Sequence, residues 1–325
     1  MFRFTNRLDV SDGVREGPPS LTPGTGHSGL LGSGKEDQAI RFVLFVVALI
    51  SLLILAAILV FLFVEGIPIL KKVSLTAFLF GHEWYPTSAP PSFGIFPLLV
   101  ASVAVTVLST LFSAPLGIMT AIYMAEIASP GVRNVLKPVV ELLAALPSVV
   151  IGFFGMVVVA PFLQNVFDLP TGLNLMNASL MLALMSVPTI CTISEDAIQS
   201  VPKDLKEGSL ALGATHLETI LRVILPASLS GISTAAILGV SRSIGETMVV
   251  LMVAGGAALV PSSIFDPVRP IPASIAAEMA EAPFRGDHYH ALFALGVILF
   301  LFTMGFNLIA AYISGKHRQV GEATL

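Results

Sequence analysis

Two charged residues lie inside an otherwise apolar stretch, in the sequence GVSRSIGETMVVLMVAGG. They are Arg242 and Glu246, and a spacing of four residues places two side chains on one face of a helix. A charge near the middle of a membrane span costs at least about 2.5–3.5 kcal/mol, so such residues generally face a bundle interior or a water-filled path. The planar guanidinium matches phosphate oxygens. The residues alone leave two interpretations open: an anion site, in which Glu246 holds Arg242 or alternates with the substrate, or a structural ion pair.

A second candidate site is the loop at residues 202–226, PKDLKEGSLALGATHLETILRVILP. Charged and apolar residues are interspersed along it, so one face suits a soluble partner and the other suits a membrane domain. Gly213 lacks a Cβ and allows a sharp turn. We therefore predict two short helices around Gly213, between Asp204 and His216, with Pro226 ending the segment. The alternative is an amphipathic connector that lies on the membrane surface.

Other motifs lack the residues that their chemistry requires. Residues 24–29 fit GxGxxG and residues 29–35 fit GxxxxGK, but no apolar strand precedes them and Glu36 stands where a magnesium-binding Ser or Thr is needed. The sequence DHYH at 287–290 has two His but no evident third metal ligand. The single cysteine, Cys191, excludes an intramolecular disulfide. We expect no catalytic residue, no metal site and no cofactor bound by this chain.

Apolar runs must form the elements that position these residues. The chain of 325 residues is 55% hydrophobic and only 12% charged, whereas a soluble domain has about 25% charged residues. Several runs are long enough to cross a hydrocarbon core of about 30 Å. We predict an all-α polytopic membrane protein with about six spans. They are residues 41–64, 95–123, 139–163 (with Glu141 near its start and a kink at Pro147), 178–193 (the shortest), 229–254 and 291–313.

The sequence further divides into a flexible cytoplasmic tail at 1–40, a first span and outer loop at 41–92, a core at 93–315 that contains the 202–226 loop, and a C-terminal tail at 316–325. If both termini are cytoplasmic, nine flanking Lys and Arg residues lie inside and four lie outside. The positive-inside rule favours that orientation. The 202–226 loop then faces the cytoplasm, where nucleotide is available to a partner.

The 202–226 loop resembles the signature loop of ATP-binding-cassette importer permeases. That signature is Glu-Ala-Ala, three residues, Gly, nine residues, then Ile-x-Leu-Pro. The matching residues here are Glu207, Gly208, Ser209, Gly213, Val223, Leu225 and Pro226. Gly208 and Ser209 replace the alanines and Val223 replaces the isoleucine, each a small or apolar exchange. The resemblance implies that this loop is the coupling helix that docks into a cleft on an ATPase subunit.

Four further stretches narrow the resemblance to phosphate importer permeases of the PstC type. They are SRSIGETMVV, ELLAALPSVVIGFFG, WYPTSAPPSFGIFPLL and SVPTICTISEDAIQSVPKDLKEGSLALGAT, and together they extend over about residues 40–315 in the expected order. Thr247 and Met248 favour this type over the paralogous partner permease. Arg242 and Glu246 match the family's Arg and Glu in the first stretch, which implies a role for both in phosphate passage.

The resemblance implies a permease of the type I importer fold in a bacterial inner membrane, without catalytic activity of its own. It implies a second homologous permease subunit, two cytoplasmic ATP-binding subunits that hold ATP and magnesium, and an extracytoplasmic protein that delivers inorganic phosphate. No nucleic acid is expected. One alternative is an importer of another oxyanion, sulfate or molybdate. The other is an ion-coupled secondary transporter working alone, against which the 202–226 loop argues, because an unpartnered carrier needs no docking loop.

Overall fold

The computed structural model of the protein describes residues 34–322, which are almost entirely helical. The helices are α1 (Gly34–Gly66), α2 (Leu75–Phe80), α3 (Phe96–Ile122), α4 (Pro130–Ala145), α5 (Ser148–Phe154), α6 (Ala160–Phe167), α7 (Leu175–Gln199), α8 (Lys203–Ala211), α9 (His216–Thr219), α10 (Leu225–Ile244), α11 (Met248–Val253), α12 (Ile271–Glu278) and α13 (Asp287–Glu322). A 3₁₀ turn at Ile67–Lys71 and π-helical turns at Tyr123–Ile127, Gly155–Val159 and Ile220–Ile224 extend some of them. A short antiparallel hairpin pairs β1 (Trp84–Tyr85) with β2 (Ser92–Phe93).

The chain divides into two units, Met1–Ala57 and Ile58–Leu325. The described part of the first unit is the beginning of α1, which carries no charge between Arg41 and the end of that unit. Nearly all of its side chains from Gln38 onward are exposed. A helix that is apolar all round and exposed on every side suits a lipid environment rather than water.

Six segments among residues 34–322 are long and apolar enough to cross a membrane. They are Gln38–Lys71, Phe96–Ile127, Ser148–Phe167, Leu175–Gln199, His216–Ile244 and Asp287–Ile309. The prediction of six spans is confirmed, but the bounds of the third, fourth and fifth are wrong. The third begins at Ser148 rather than at 139, and the fourth has 25 residues and is not the shortest. The fifth begins at His216 rather than at 229 and ends at Ile244 rather than at 254.

The third span begins late because a proline breaks the helix before it. Leu146 and Pro147 both have extended ψ angles, 132° and 136°, between α4 and α5. Steric contact with a proline ring disfavours helical geometry at the preceding residue, so the predicted kink at Pro147 is a complete break. Glu141 therefore lies on α4, outside the span, and not near the start of the span as predicted.

The core of the second unit is the packing of α3 and α10 against α7. Small residues allow this close approach: a Cβ added to Gly117 of α3 would lie 2.9 Å from Ile190 of α7, and one on Gly239 of α10 would lie 2.6 Å from the same side chain. Buried hydroxyls bond to backbone carbonyls of their own helix, as Ser179 Oγ does to Leu175 O at 2.8 Å. Small residues at such contacts are typical of membrane helix pairs.

At the opposite end of the bundle from α8, one carboxylate joins several segments. Glu278 of α12 accepts a hydrogen bond from Trp84 Nε1 at 3.0 Å, pairs with Arg269 at 2.6 Å and lies 2.8 Å from His288 Nε2. His290 instead lies beside Glu65, with Nδ1 at 2.8 Å from its carbonyl oxygen. The two histidines of the DHYH sequence thus face different carboxylates, which gives each imidazole a partner of its own.

Candidate functional site

The segment with Arg242 and Glu246 is a break between two helices. α10 ends at Ile244, and Gly245 and Glu246 lie outside any helix before α11 begins at Met248. The prediction that Arg242 and Glu246 share one face of a continuous helix near its middle is therefore wrong. Gly245 ends the helix between the two charges, because glycine weakens a helix interior and favours its ends.

Polar contacts on either side of Arg242 hold the end of α10 in place. Ser241 Oγ donates to Asn307 Oδ1 of α13, and the hydroxyls of Ser243 and Ser186 lie 3.0 Å apart in the contact between α10 and α7. These bonds fix the last turn of α10 on two sides. The Arg242 side chain itself is exposed and makes no ion pair with any residue of the described chain.

Glu246 is half-buried and only loosely held. Its Oε1 accepts one hydrogen bond, from the backbone N–H of Val249 at 3.3 Å, at the start of α11. The short helix that follows is anchored in the bundle: Val249 and Val253 are fully buried, and a Cβ on Gly152 of α5 would meet Met252 at 2.8 Å. Interrupted helices at membrane depth are tolerated where their irregular backbone lines a cavity or lies within protein.

The 202–226 loop turns at Gly213, as predicted. α8 and α9 flank a turn in which Gly213 has φ +89°, a left-handed conformation that favours glycine. Thr215 begins α9 with a capping box: its hydroxyl accepts from the N–H of Glu218, and the Glu218 carboxylate accepts from the N–H of Thr215. The structure thus has one short helix before Gly213, as predicted, but the second helix begins only at His216 and is the first turn of a longer helix rather than a separate short one.

Pro226 does not end this segment, contrary to the prediction. The π-helical turn Ile220–Ile224 joins α9 to α10, so one continuous helix runs from His216 to Ile244. Leu225 donates its N–H to Ile220 O, five residues back, and Pro226 follows in the first turn of α10. A first-turn position suits proline, which has no N–H to donate. The connecting element is therefore residues 202–215, which we call the elbow.

The elbow presents an apolar surface to its surroundings. Leu212 is 92% exposed, beside the half-exposed Leu210 and, just beyond the elbow, Leu217. Glu207 is exposed, and a Cβ on Gly208 would meet nothing within 4 Å. Ser209 has a different position: its hydroxyl lies 3.0 Å from that of Thr219, which braces α8 against α9.

Two groups of ion pairs lie where the spans meet the elbow. Lys206 of α8 pairs with Glu126, which follows α3. Glu195, fully buried in α7, accepts hydrogen bonds from Arg133 at 2.8 Å and from Gln199 at 2.6 Å, and its second oxygen faces Lys137 Nζ at 3.3 Å without hydrogen-bond geometry. These pairs are not predicted by the sequence, although Arg133 and Lys137 have the spacing that places two cations on one helix face.

Residues 113–319 match the protein-family model described as the binding-protein-dependent transport system inner membrane component. The chain belongs to this family. The matched range includes both the elbow and the helix break. The chain is therefore a permease component of an ATP-binding-cassette importer, an integral protein of the inner membrane, and the resemblance inferred from the sequence is confirmed.

Relatives support this at the level of the whole chain. The permease is 39% identical over 280 residues to a protein of Bacillus subtilis named probable ABC transporter permease protein YqgH, with 86% of this chain and 91% of that protein covered. It is 34% identical over 257 residues to the phosphate transport system permease protein PstC of Mesorhizobium japonicum, with 73% and 77% covered.

Solved structures confirm the fold. The permease superposes on a chain of a bacterial ABC transporter involved in the import of the acidic polysaccharide alginate, with a TM-score of 0.63 over 87% of this chain and 96% of that one. The identity is 17%, so this likeness concerns architecture alone. The prediction of an all-α permease of the type I importer fold is confirmed.

Proposed function

We propose that this permease carries inorganic phosphate into the cell. The observation that carries the proposal is the free guanidinium of Arg242 at the break between α10 and α11, where it has no ion pair among the described residues. Arginine presents parallel N–H donors that match the oxygens of phosphate. Relatives named as phosphate permeases, at 34% and 33% identity, support the same substrate.

Glu246 supplies the release step in this proposal. Its carboxylate has a single hydrogen bond at 3.3 Å and lies beyond the end of the helix that holds Arg242. Gly245 gives the intervening backbone freedom to turn. When phosphate occupies the path, its charge repels the carboxylate and the guanidinium binds the anion. In the structure Glu246 forms no ion pair with Arg242. A rotation of the backbone at Gly245 would bring the carboxylate to the guanidinium in competition with phosphate, which prevents the site from holding the anion too tightly.

The same proposal includes the partners of an importer. A second homologous permease completes the path, an extracytoplasmic binding protein delivers phosphate, and two cytoplasmic subunits hold ATP and magnesium. The exposed Leu212 on the elbow supports an ATPase docking site there. The distribution of Lys and Arg favours cytoplasmic termini, and this orientation supports an elbow on the same side as those subunits. ATP binding and hydrolysis then shift the permease pair between outward and inward access.

Radiolabelled phosphate uptake tests the proposal. A host without its own high-affinity importer would receive the complete operon, with the wild-type chain, Arg242→Gln or the control Arg285→Gln. Arg285 has an exposed side chain just before α13, away from the helix break. We expect uptake from wild type and from Arg285→Gln, and none from Arg242→Gln although the complex still assembles by pull-down.

Competition with unlabelled anions separates phosphate from other oxyanions. Excess phosphate should abolish the uptake of label, and excess sulfate or molybdate should leave it unchanged. An assembled wild-type complex without phosphate uptake would contradict the proposed substrate. Uptake retained by assembled Arg242→Gln would reduce that arginine to a structural role.

A further inference from the structure

The elbow helix α8 is connected to two different spans. Ser209 braces it against Thr219, at the base of the span that contains α10. Lys206 connects it to Glu126, at the end of the span formed by α3. α8 leads into the span that contains α10. Among the described residues, no other polar side chain of α8 contacts a different span. Both side chains are largely buried, at 24% and 7% exposure.

The carboxylate partner lies in a π-helical turn that directly follows α3. Glu126 is part of the π-helical turn Tyr123–Ile127, where Ala128 donates its N–H five residues back to Tyr123 O at 2.8 Å. π-helical turns are uncommon and frequently occur at functional sites. Met124, in the same turn, is buried in an apolar cluster with Ile198 of α7 and Ile220 below α10. A displacement of Glu126 is therefore transmitted to the end of α3.

The connection of α8 to α10 has a different character. It passes through the turn at Gly213, which has a φ of +89°, and through the contact between two uncharged hydroxyls, those of Ser209 and Thr219. A displacement of α8 thus reaches α10 through this turn and the Ser209–Thr219 contact, and reaches α3 through a largely buried ion pair. The elbow is able to move the two spans by different amounts.

Relative motion of α3 and α10 acts directly on the helix break. Val103 and Val107 of α3 and Val240 and Ile244 of α10 line one apolar cleft. The two α10 residues flank Arg242 in sequence, in the last turns before the break. Any shift between the spans at this cleft changes the surroundings of the guanidinium.

We propose that the Lys206–Glu126 ion pair is the coupling strut that transmits motion of the ATPase-docked elbow to α3. The inference rests on the proposed docking of an ATPase subunit at the elbow. Lys206 and Glu126 act as positioning residues: they touch neither phosphate nor ATP, and they set how far α3 follows α8. Loss of either charge leaves docking intact and separates ATP hydrolysis from transport.

The test is a reconstituted complex of permeases, ATPase subunits and binding protein, in which phosphate uptake and ATP hydrolysis are measured together. The variants are Lys206→Met, Glu126→Gln and the charge reversal Lys206→Glu with Glu126→Lys. The matched control is Lys203→Met, an exposed lysine of the same helix. We expect each single variant to lower phosphate transported per ATP at least about tenfold, because it leaves a largely buried charge without its partner. The charge reversal should restore most of the phosphate transported per ATP, and Lys203→Met should transport as much per ATP as wild type.

A second measurement does not depend on the transported substrate. Spin labels at Tyr123 and Leu229, both exposed near the elbow end of α3 and α10, report the distance between these spans in a Cys191→Ser background. ATP should change that distance in wild type and leave it unchanged in Lys206→Met. The proposed role of the ion pair would be contradicted by an ATP-driven distance change of wild-type size in Lys206→Met. It would also be contradicted if both single variants transported as much phosphate per ATP as wild type.

The two measurements also separate this inference from the proposed function. A wild-type complex that shows the ATP-driven distance change but no phosphate uptake would contradict the substrate and leave the strut supported. A wild-type permease that does not co-purify with the ATPase subunit would contradict docking at the elbow, and the strut with it.

Discussion

The guanidinium of Arg133 lies 2.8 Å from the carboxylate of Glu195, which is fully buried one turn from the end of α7. Lys137, one turn further along α4, faces the second oxygen at 3.3 Å. Burying a carboxylate is unfavourable unless cations and hydrogen bonds compensate it. The two cations therefore fix the amphipathic helix α4 against α7, at the same end of the bundle as the elbow.

Arg133→Met should destabilise the permease by about 1–3 kcal/mol, because Glu195 stays buried with only one cation beside it. The cost stays below that of a fully buried pair since Arg133 is 33% exposed. A lower unfolding temperature in detergent would show it, with Glu141→Gln, an exposed residue of the same helix, as the control. Adding Glu195→Leu to Arg133→Met should recover part of the loss. An unfolding temperature equal to wild type would show that the pair contributes nothing.

Close packing of α3 on α7 predicts a second result. Gly117→Ala should lower stability by about 1–3 kcal/mol, because its Cβ would lie 2.9 Å from Ile190 Cβ, an atom next to the backbone. Gly305→Ala in α13 is the matched control, since nothing lies within 4 Å of that Cβ. Unfolding of the two variants in detergent should separate them, with Gly305→Ala equal to wild type or slightly more stable. Equal losses would contradict the packing argument.

The sequence predicted the number of spans because each is a long apolar run, and the turn at Gly213 because glycine is flanked there by residues that alternate between charged and apolar. It misplaced the third span for a physical reason. Val132, Val135, Val139 and Leu142 form an apolar stripe on α4 with helical spacing, and all four are exposed. Hydropathy alone joins that stripe to the span that follows, and only the break at Pro147 separates them.

The sequence indicated the two charged residues of the candidate site, but it did not predict the helix break between them. Arg242 and Glu246 have helical spacing, and their neighbours are apolar, so periodicity alone indicates one continuous helix. The end of α10 depends on Gly245 and on the packing of α11 into α5. Contacts between segments distant in sequence, such as Glu195 with Arg133, have no local signal and require the folded chain.

Titration of Asp266 gives a third prediction. Hydrogen bonds from the Ser262 hydroxyl and from the backbone N–H groups of Ser263 and Ser262 lower the pKa of Asp266 below its ordinary value of 3.8. A carboxyl with a lowered pKa stabilises the fold above its unfolded pKa, and the stabilisation is lost as pH falls through the folded value. We expect the hydrogen bonds of this turn to be unchanged from pH 7 to pH 5. They should be lost only when the pH falls below 3.8.

Hydrogen exchange at the amides of residues 262 and 263, corrected for the intrinsic rate at each pH, measures this effect. Asp266→Asn should raise exchange there at pH 7, because an amide oxygen accepts hydrogen bonds less strongly than a carboxylate. Glu281→Gln, at an exposed position beyond α12, should leave it unchanged. Wild-type protection in Asp266→Asn would show that the carboxylate does not hold the turn.

The elbow turn gives the last prediction, which compares two glycines of one short segment. Gly213 and Gly208 both have open space around a Cβ, but only Gly213 has a positive φ. Alanine at Gly213 costs about 1–2 kcal/mol in the left-handed conformation, so the turn opens and α8 changes its angle to α9. Gly208→Ala instead places a good helix former inside α8.

Co-purification of the ATPase subunit with the permease should therefore fall for Gly213→Ala and be lost for Gly213→Arg, whose long side chain also obstructs the docking face. Gly208→Ala should co-purify like wild type, and membrane insertion should be equal in all three variants. Normal co-purification of Gly213→Arg would contradict docking at the elbow. A similar loss from Gly208→Ala would show that crowding on α8, and not the angle of the turn, governs the contact.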